Sequence, residues 1–111
     1  NASKIRQLEV KTSTLKQYGA VSVQVCEEMA RGIREKAGTT YGLATTGIAG
    51  PGGGSTDKPV GTVFIGLQTP TEFFTRRLRL FGDRGRIQKL SAAACIDMLR
   101  RHLQHFHLEM R

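Results

Sequence analysis

The sequence is poor in aromatic residues, proline and cysteine, and it has no long apolar run. Its 111 residues include no Trp, five Phe, two Tyr, three Pro and two Cys. No apolar stretch approaches the roughly 18 residues needed to span a membrane, and no signal peptide opens the chain. Cys26 and Cys95 lie in separate helix-like segments without Cys-x-x-Cys spacing. This pattern is typical of reduced core thiols and favours a cytoplasmic location.

Acidic residues are scarce relative to basic ones. Lys and Arg total 17 against nine Asp and Glu, so the formal net charge is +8. Such a balance attracts anions, whether nucleic acid, acidic lipid or a phosphorylated small molecule, although a solvated basic surface gives the same total. A chain of this length fits one hydrophobic core, so we expect residues 1–111 to form a single domain.

Hydrophobic periodicity predicts helices before and after a group of strands. We expect a short helix over residues 1–8, followed by a polar connector over 11–19. Ser22 caps a second, amphipathic helix, and Gly38 ends it. Asp83 caps a long final helix with one apolar stripe. The predicted stripe comprises Ile87, Leu90, Ala94, Met98 and Leu99.

Three strands are predicted between the helices, over residues 41–46, 62–68 and 72–80. The third alternates apolar and basic side chains, which is the period of a strand with one solvated face, and it lies close enough to the second to form a hairpin. Its arginines suit a nucleic-acid surface or an ordinary amphipathic strand. The second interpretation is favoured because no other basic stripe aligns with them. The order α, α, β, loop, β, β, α predicts an α/β layered domain with helices packed on a small central sheet.

A loop of unusual composition joins the first two strands. From Gly47 to Gly54 it contains five glycines and Pro51. Glycine is favoured where the backbone takes a positive φ or approaches another group closely, and proline stiffens the chain. The loop lacks both Gly-x-x-x-x-Gly-Lys-Ser/Thr and Gly-x-Gly-x-x-Gly, which excludes a P-loop and a dinucleotide-binding turn. It either presents backbone N–H groups to an anion or forms a wide connection without a ligand.

Arg84 is a second candidate for anion binding. It follows the predicted cap Asp83 and therefore lies in the first helical turn, where the helix dipole disfavours a cation. Such a residue either contacts an anion or is simply solvated. His102, His105 and His107 cluster only by count and have few acidic neighbours, so the sequence predicts no metal site.

Several segments resemble the signature of one family, the CinA C-terminal domain, named for a competence/damage-inducible protein. Residues 46–54 read Thr-Gly-Ile-Ala-Gly-Pro-Gly-Gly-Gly, and residues 58–67 read Lys-Pro-Val-Gly-Thr-Val-Phe-Ile-Gly-Leu. The resemblance extends to Asn-x-x-Lys-Ile-x-x-Leu at 1–8, to residues 17–22 and to Gly-Asp-Arg at 82–84. It covers nearly the whole chain and is far more specific than a single glycine motif.

The resemblance implies a layered, commonly dimeric α/β domain with amidase activity. Such an enzyme hydrolyses nicotinamide mononucleotide to nicotinate mononucleotide and ammonia, in pyridine-nucleotide salvage, and uses neither a metal nor another cofactor. The resemblance further implies that Lys4 is catalytic in a Ser/Lys-type mechanism. The substrate-binding residues that it implies are Thr46, Gly47, Ala49, Gly50 and Arg84.

One motif of the family, Glu-Ser-x-Thr-Gly-Gly with its nucleophilic serine, does not occur in this sequence. We therefore expect the chain to be a C-terminal fragment of the family domain, inactive by itself, with the serine in a preceding strand–helix–strand part. The alternative is a catalytically inactive nucleotide-binding or regulatory module. A basic nucleic-acid-binding domain is a less favoured interpretation.

Overall fold

The computed structural model describes residues 10–48, 50 and 52–109, with 105–109 described by their backbone alone. The elements follow the order α, α, β, β, β, α. The helices are α1 (Thr12–Tyr18), α2 (Val23–Ala37) and α3 (Arg84–Glu109), and the strands are β1 (Gly42–Gly47), β2 (Thr62–Gln68) and β3 (Phe73–Arg79). This order confirms the predicted layered α/β class. The helix predicted over residues 1–8 lies outside the described residues.

Helix α1 occupies most of the segment 11–19, so the prediction of a polar connector there is wrong. The backbone N–H of Lys11 donates to Glu28 Oε1 of α2 at 2.8 Å, and Leu15 packs against the apolar cluster beneath α2. Gly19 ends the helix at φ 82, and its N–H donates to the Leu15 carbonyl. A seven-residue helix is marginal alone, so the contacts with α2 stabilise it.

The three strands form one antiparallel sheet in the order β1-β2-β3. Thr46 pairs with Phe64 and Phe64 pairs with Arg77, so the predicted hairpin of the last two strands is confirmed. The predicted strand boundaries agree with the observed ones within one residue. Because side chains alternate along a strand, the even-numbered residues of β1 and β2 face α2 and the odd-numbered ones face α3.

The core consists of two apolar clusters, one on each face of the sheet. The cluster under α2 contains Val10, Val25, Cys26, Met29, Ala30, Ala44 and Phe64. The cluster under α3 contains Val63, Ile65, Ile87 and Cys95, with Leu43, Leu78, Leu80, Ala94 and Met98 packed against it. The central strand β2 supplies residues to both clusters, which explains why six of its seven residues are buried.

The predicted helix ends are confirmed. Ser22 Oγ accepts a hydrogen bond from the Val25 N–H at 3.2 Å, and Gly38 ends α2 in the left-handed region at φ 67. Asp83 Oδ1 accepts from the Arg86 N–H at 2.8 Å and caps α3. Each cap satisfies a backbone N–H group that has no partner inside the helix.

The apolar stripe of α3 is only partly as predicted. Ile87, Ala94 and Met98 face the sheet as expected. The buried positions between them are Ser91 and Cys95, because the turn-by-turn spacing of 87, 91 and 95 keeps these residues on one side of the helix. The other residues of the predicted stripe lie off this line and are only half-buried.

None of the described helices combines the length and the apolarity that a membrane crossing requires.

Both cysteines are buried and unpaired, which confirms the predicted core thiols. They approach the sheet from opposite faces. Cys26 Sγ lies 3.5 Å from the Ala44 carbonyl oxygen and Cys95 Sγ lies 3.8 Å from the same atom. Burial, with a smaller contribution from Cys95, raises the pKa of Cys26 to about 12. Burial also raises the pKa of Cys95.

Candidate functional site

A cavity of about 510 Å³ lies between the glycine-rich loop and the N-terminal half of α3. It is formed by the end of β1, one position of β2, the loop after β1 and the first turns of α3. Its lining residues are Thr45, Gly47, Ile48, Gly50, Gly52, Gly53, Val63, Arg84, Ile87, Gln88, Ser91 and Ala92.

The glycine-rich loop has a defined shape at its base and at its tip. At the base, the Ile48 N–H donates to the Thr62 carbonyl at 2.9 Å, and the Gly61 N–H donates to the Ile48 carbonyl at 2.6 Å. At the tip, the Ser55 N–H donates to the Lys58 carbonyl at 2.9 Å. Hydrogen bonds therefore join the two limbs of the loop at its base and at its tip. The first limb, which contains Gly50, Gly52 and Gly53, lines the cavity.

Two glycines show why this loop has the composition it has. Gly53 lines the cavity at φ 92, a conformation that residues with a Cβ rarely adopt. Gly61 has φ 95, and a Cβ at this position would lie 2.0 Å from the Leu80 carbonyl oxygen. The close approach permits the Leu80 N–H to donate to the Gly61 carbonyl at 2.8 Å. The glycines therefore hold a shape that other residues would not permit.

Arg84 gives the cavity its charge. It is the first residue of α3 and is exposed. Among the described residues that line the cavity, it is the one of a charged residue type. The positive end of the helix dipole adds to its field, while the neighbouring Asp83 carboxylate is engaged with the Arg86 N–H. The cavity is therefore suited to an anionic group.

Adjacent threonines of β1 have different surroundings. Thr45 lines the cavity on the α3 side. Thr46 is 6% exposed, and its hydroxyl donates to the Ala20 carbonyl at 2.7 Å on the α2 side. The implied role of Thr46 as a substrate contact stays a prediction. The sequence alone indicates that adjacent residues of a strand point to opposite faces of the sheet. It does not indicate which of these two threonines faces the cavity.

The structure brings together three of the implied site residues, Gly47, Gly50 and Arg84, at the cavity. Lys4 and Ala49 lie outside the described residues. Sequence reasoning did not single out two further lining residues, which are Gln88 and Ser91. Their spacing of four and seven from Arg84 places all three on one helix face, and this was the available signal.

Of the three histidines, His102 is the one whose side chain the structure describes. Among the described side chains, those of residues 10–48, 50 and 52–104, no three His, Cys, Asp or Glu are grouped to hold a metal ion. His102 instead packs between two rings. Its ring centroid lies 5.6 Å from that of Tyr41 and 5.4 Å from that of Phe74.

Comparison with known proteins gives one consistent family. The model of the CinA C-terminal domain matches residues 1–103. A competence-damage inducible protein of Clostridium botulinum (strain ATCC 19397 / Type A) is 47% identical over 104 residues, which are 94% of this chain and 25% of that relative. A similarly described protein of Caldanaerobacter subterraneus subsp. tengcongensis is also 47% identical over 104 residues, with the same coverage of both chains.

Solved structures of similarly named proteins share the fold. The competence damage-inducible protein A of Klebsiella pneumoniae matches with a TM-score of 0.88 at 30% identity, over 95% of this chain and 65% of that one. The competence/damage inducible protein CihA of Agrobacterium tumefaciens matches with a TM-score of 0.85 at 36% identity, over 91% of this chain and 62% of that one. The chain thus spans a quarter of its curated relatives and less than two thirds of these solved chains. None of the names states a reaction.

Proposed function

The chain belongs to the CinA C-terminal domain family, and we propose that in the complete domain its cavity binds nicotinamide mononucleotide for hydrolysis of the carboxamide. The products are nicotinate mononucleotide and ammonia. The observation that supports this proposal is the single cavity at which Gly47, Gly50 and Arg84 meet.

The size and charge of the cavity suit a mononucleotide. Its volume of about 510 Å³ falls within the range of roughly 300–1,000 Å³ that is usual for small-molecule sites. A guanidinium binds a phosphate with two parallel hydrogen bonds, and the N-terminus of α3 favours the same charge. Arg84 is therefore proposed as the phosphate contact.

The proposed chemistry is an acyl transfer through a serine outside this chain. The serine hydroxyl attacks the carboxamide carbon, Lys4 accepts its proton, and the proton passes to the departing ammonia. Water then hydrolyses the acyl-enzyme, which releases the carboxylate and restores the serine. The amide oxygen carries negative charge in the transition state, so it requires N–H donors fixed in advance.

The loop is the proposed source of these donors. The N–H groups of Ile48 and Ser55 are engaged within the loop, so the glycine positions between them are the candidates for the oxyanion. Thr46, Gly47, Ala49 and Gly50 are retained as proposed substrate contacts. We add Thr45, because its side chain lies on the wall of the cavity.

A turnover assay on the full-length protein tests the proposal. Nicotinamide mononucleotide is supplied, and nicotinate mononucleotide and ammonia are measured. Arg84→Ala should lower kcat/KM about 100-fold because a charge-assisted phosphate contact is lost. The matched control is Arg86→Ala, since Arg86 lies in the same helical turn but does not line the cavity. Unchanged turnover in Arg84→Ala would contradict its role.

The alternatives predict different results in the turnover assay combined with binding measurements. A regulatory module would bind nicotinamide mononucleotide in calorimetry without any turnover. A nucleic-acid-binding domain would bind oligonucleotides with an affinity that falls log-linearly with salt. Either result, with a full-length protein that is folded, would replace the amidase proposal.

The oligomeric state and the location of the complete protein are also proposed. We expect a homodimer in the cytoplasm, with residues 1–111 as a partial, single family domain. The location is supported by the buried, unpaired thiols of Cys26 and Cys95. Light scattering that gives the mass of a monomer would contradict the dimer.

A further inference from the structure

The last residue of α1 and the connection between α1 and α2 present three backbone carbonyls to side chains that are distant in sequence. Thr46 Oγ1 donates to the Ala20 carbonyl at 2.7 Å, across 26 residues. Lys58 Nζ donates to the carbonyls of Val21 and Tyr18, across 37 and 40 residues. The contacts with Ala20 and Val21 are partly buried and the one with Tyr18 is exposed. Partly buried carbonyls need donors, so the contacts with Ala20 and Val21 are specific attachments.

Lys58 is held by a ring as well as by carbonyls. Its Nζ lies 6.0 Å from the centroid of the Phe64 ring, and the guanidinium of Arg77 lies 5.6 Å from the same centroid. An ammonium group has three donors and is attracted to aromatic faces. Two carbonyls and one ring therefore surround the ammonium group of Lys58.

The main chain of Lys58 belongs to the glycine-rich loop. Its carbonyl accepts from the Ser55 N–H at 2.9 Å, and its N–H donates to Ser55 Oγ at 3.1 Å. Ser55 follows directly on the limb in which Gly52 and Gly53 line the cavity. One residue thus connects the cavity wall to the α1–α2 connection.

We propose that Lys58 is a positioning residue, which holds the glycine-rich loop in its cavity-forming shape by anchoring the loop tip to Tyr18 and Val21. Lys58 does not itself line the cavity, so any effect on a ligand passes through the loop. The kinetic part of this inference rests on the proposed amidase function, whereas the structural part does not.

Anchoring matters here because the loop is rich in glycine. Glycine loses more conformational freedom than any other residue when it becomes ordered. If the tip were released, the limb with Gly52 and Gly53 would populate other conformations, and a ligand would have to restore the order on binding. The Lys58 anchor orders the loop beforehand, so its loss should weaken substrate binding more than it slows the chemical step.

Hydrogen exchange on the full-length protein tests the structural part. In Lys58→Met, which keeps the length of the side chain but removes the ammonium, the amides of residues 52–57 should exchange about tenfold faster. The sheet amides of 62–68 should be unchanged. Lys58→Arg, which retains the charge and the donors, should restore the protection. The matched control is Lys36→Met, an exposed residue in the last turn of α2.

Turnover of nicotinamide mononucleotide tests the kinetic part. We expect KM to rise about tenfold in Lys58→Met, with a smaller change in kcat. Lys36→Met should match the wild type in both constants. If the wild type shows no turnover, the amidase proposal fails, and the exchange comparison still decides the role of Lys58.

Three results would overturn the role of Lys58. One is unchanged exchange over 52–57 in Lys58→Met, and another is an equal increase in Lys36→Met. If Lys58→Met does not fold, Lys58→Gln, which removes the charge but keeps two N–H donors, replaces it in the comparison. Unfolding of both variants would overturn the proposal as well, since Lys58 would then support the whole domain.

Discussion

The two faces of the sheet differ in what their polar groups do. Under α2, the hydroxyl of Thr46 and the ammonium of Lys58 donate to backbone carbonyls, and the Phe64 ring is covered. Under α3, the same strands line a cavity that has Thr45 on its wall and Arg84 at its edge. Both faces carry an apolar cluster, but the polar side chains of Thr46 and Lys58 are engaged with the backbone, whereas Thr45 and Arg84 lie at a cavity that a ligand can enter.

The largest test of this comparison uses two phenylalanines. Phe64 faces α2 and is 5% exposed, whereas Phe74 is 39% exposed at the α3 side. We expect Phe64→Ala to lower the free energy of unfolding by about 3–5 kcal/mol, through lost burial and the remaining cavity. Phe74→Ala should cost about 1 kcal/mol. Urea denaturation measures both, and equal losses would contradict the difference in burial between the two phenylalanines.

The next test separates the adjacent threonines. Thr46→Val removes a buried donor from the Ala20 carbonyl and should cost about 1–3 kcal/mol of unfolding free energy. Thr45→Val should change stability by less than about 0.5 kcal/mol, but it should raise KM for nicotinamide mononucleotide. Denaturation and kinetics on both variants check this. A kinetic defect in Thr46→Val at full stability would instead favour Thr46 as the substrate contact.

The smallest effect concerns the Cys26 thiol and pH. Its pKa is raised from 9.0 to about 12 by burial, so the unfolded chain loses this proton at a lower pH than the folded chain does. Stability should therefore be complete below pH 9 and decrease above it, by about 1.4 kcal/mol per pH unit at most. Denaturation between pH 8 and 10.5 should show a shallower decrease in Cys26→Ala. Parallel curves would argue against a buried thiol.

Much of the fold was predictable because local rules decide it. The alternation in residues 72–80 identified β3 and its hairpin with β2. Ser22 and Asp83 were recognisable as caps because both precede an apolar helical period. The composition of the loop from Gly47 to Gly54 indicated a shaped segment, and it lines a cavity.

Other features depended on contacts between distant residues. Helix α1 has no apolar period, and its contacts with Glu28 and the cluster under α2 stabilise it. Ser91 was not predicted to be buried because a hydroxyl is polar, yet its Oγ donates to the Ile87 carbonyl at 2.7 Å within the helix. Lys58 looked like an ordinary loop lysine, since the carbonyls of Tyr18 and Val21 that bind it are distant in sequence.

The sequence by itself determined the class of the fold, the order of the three strands and of α2 and α3, and the glycine-rich loop, because period, caps and turn residues act over a few positions. Through strand alternation, it also placed Thr45 and Thr46 on opposite faces of the sheet. Only the tertiary structure decided which face carries the cavity and which residue anchors the loop. These depend on which helix packs on each face of the sheet, and no local pattern contains that information.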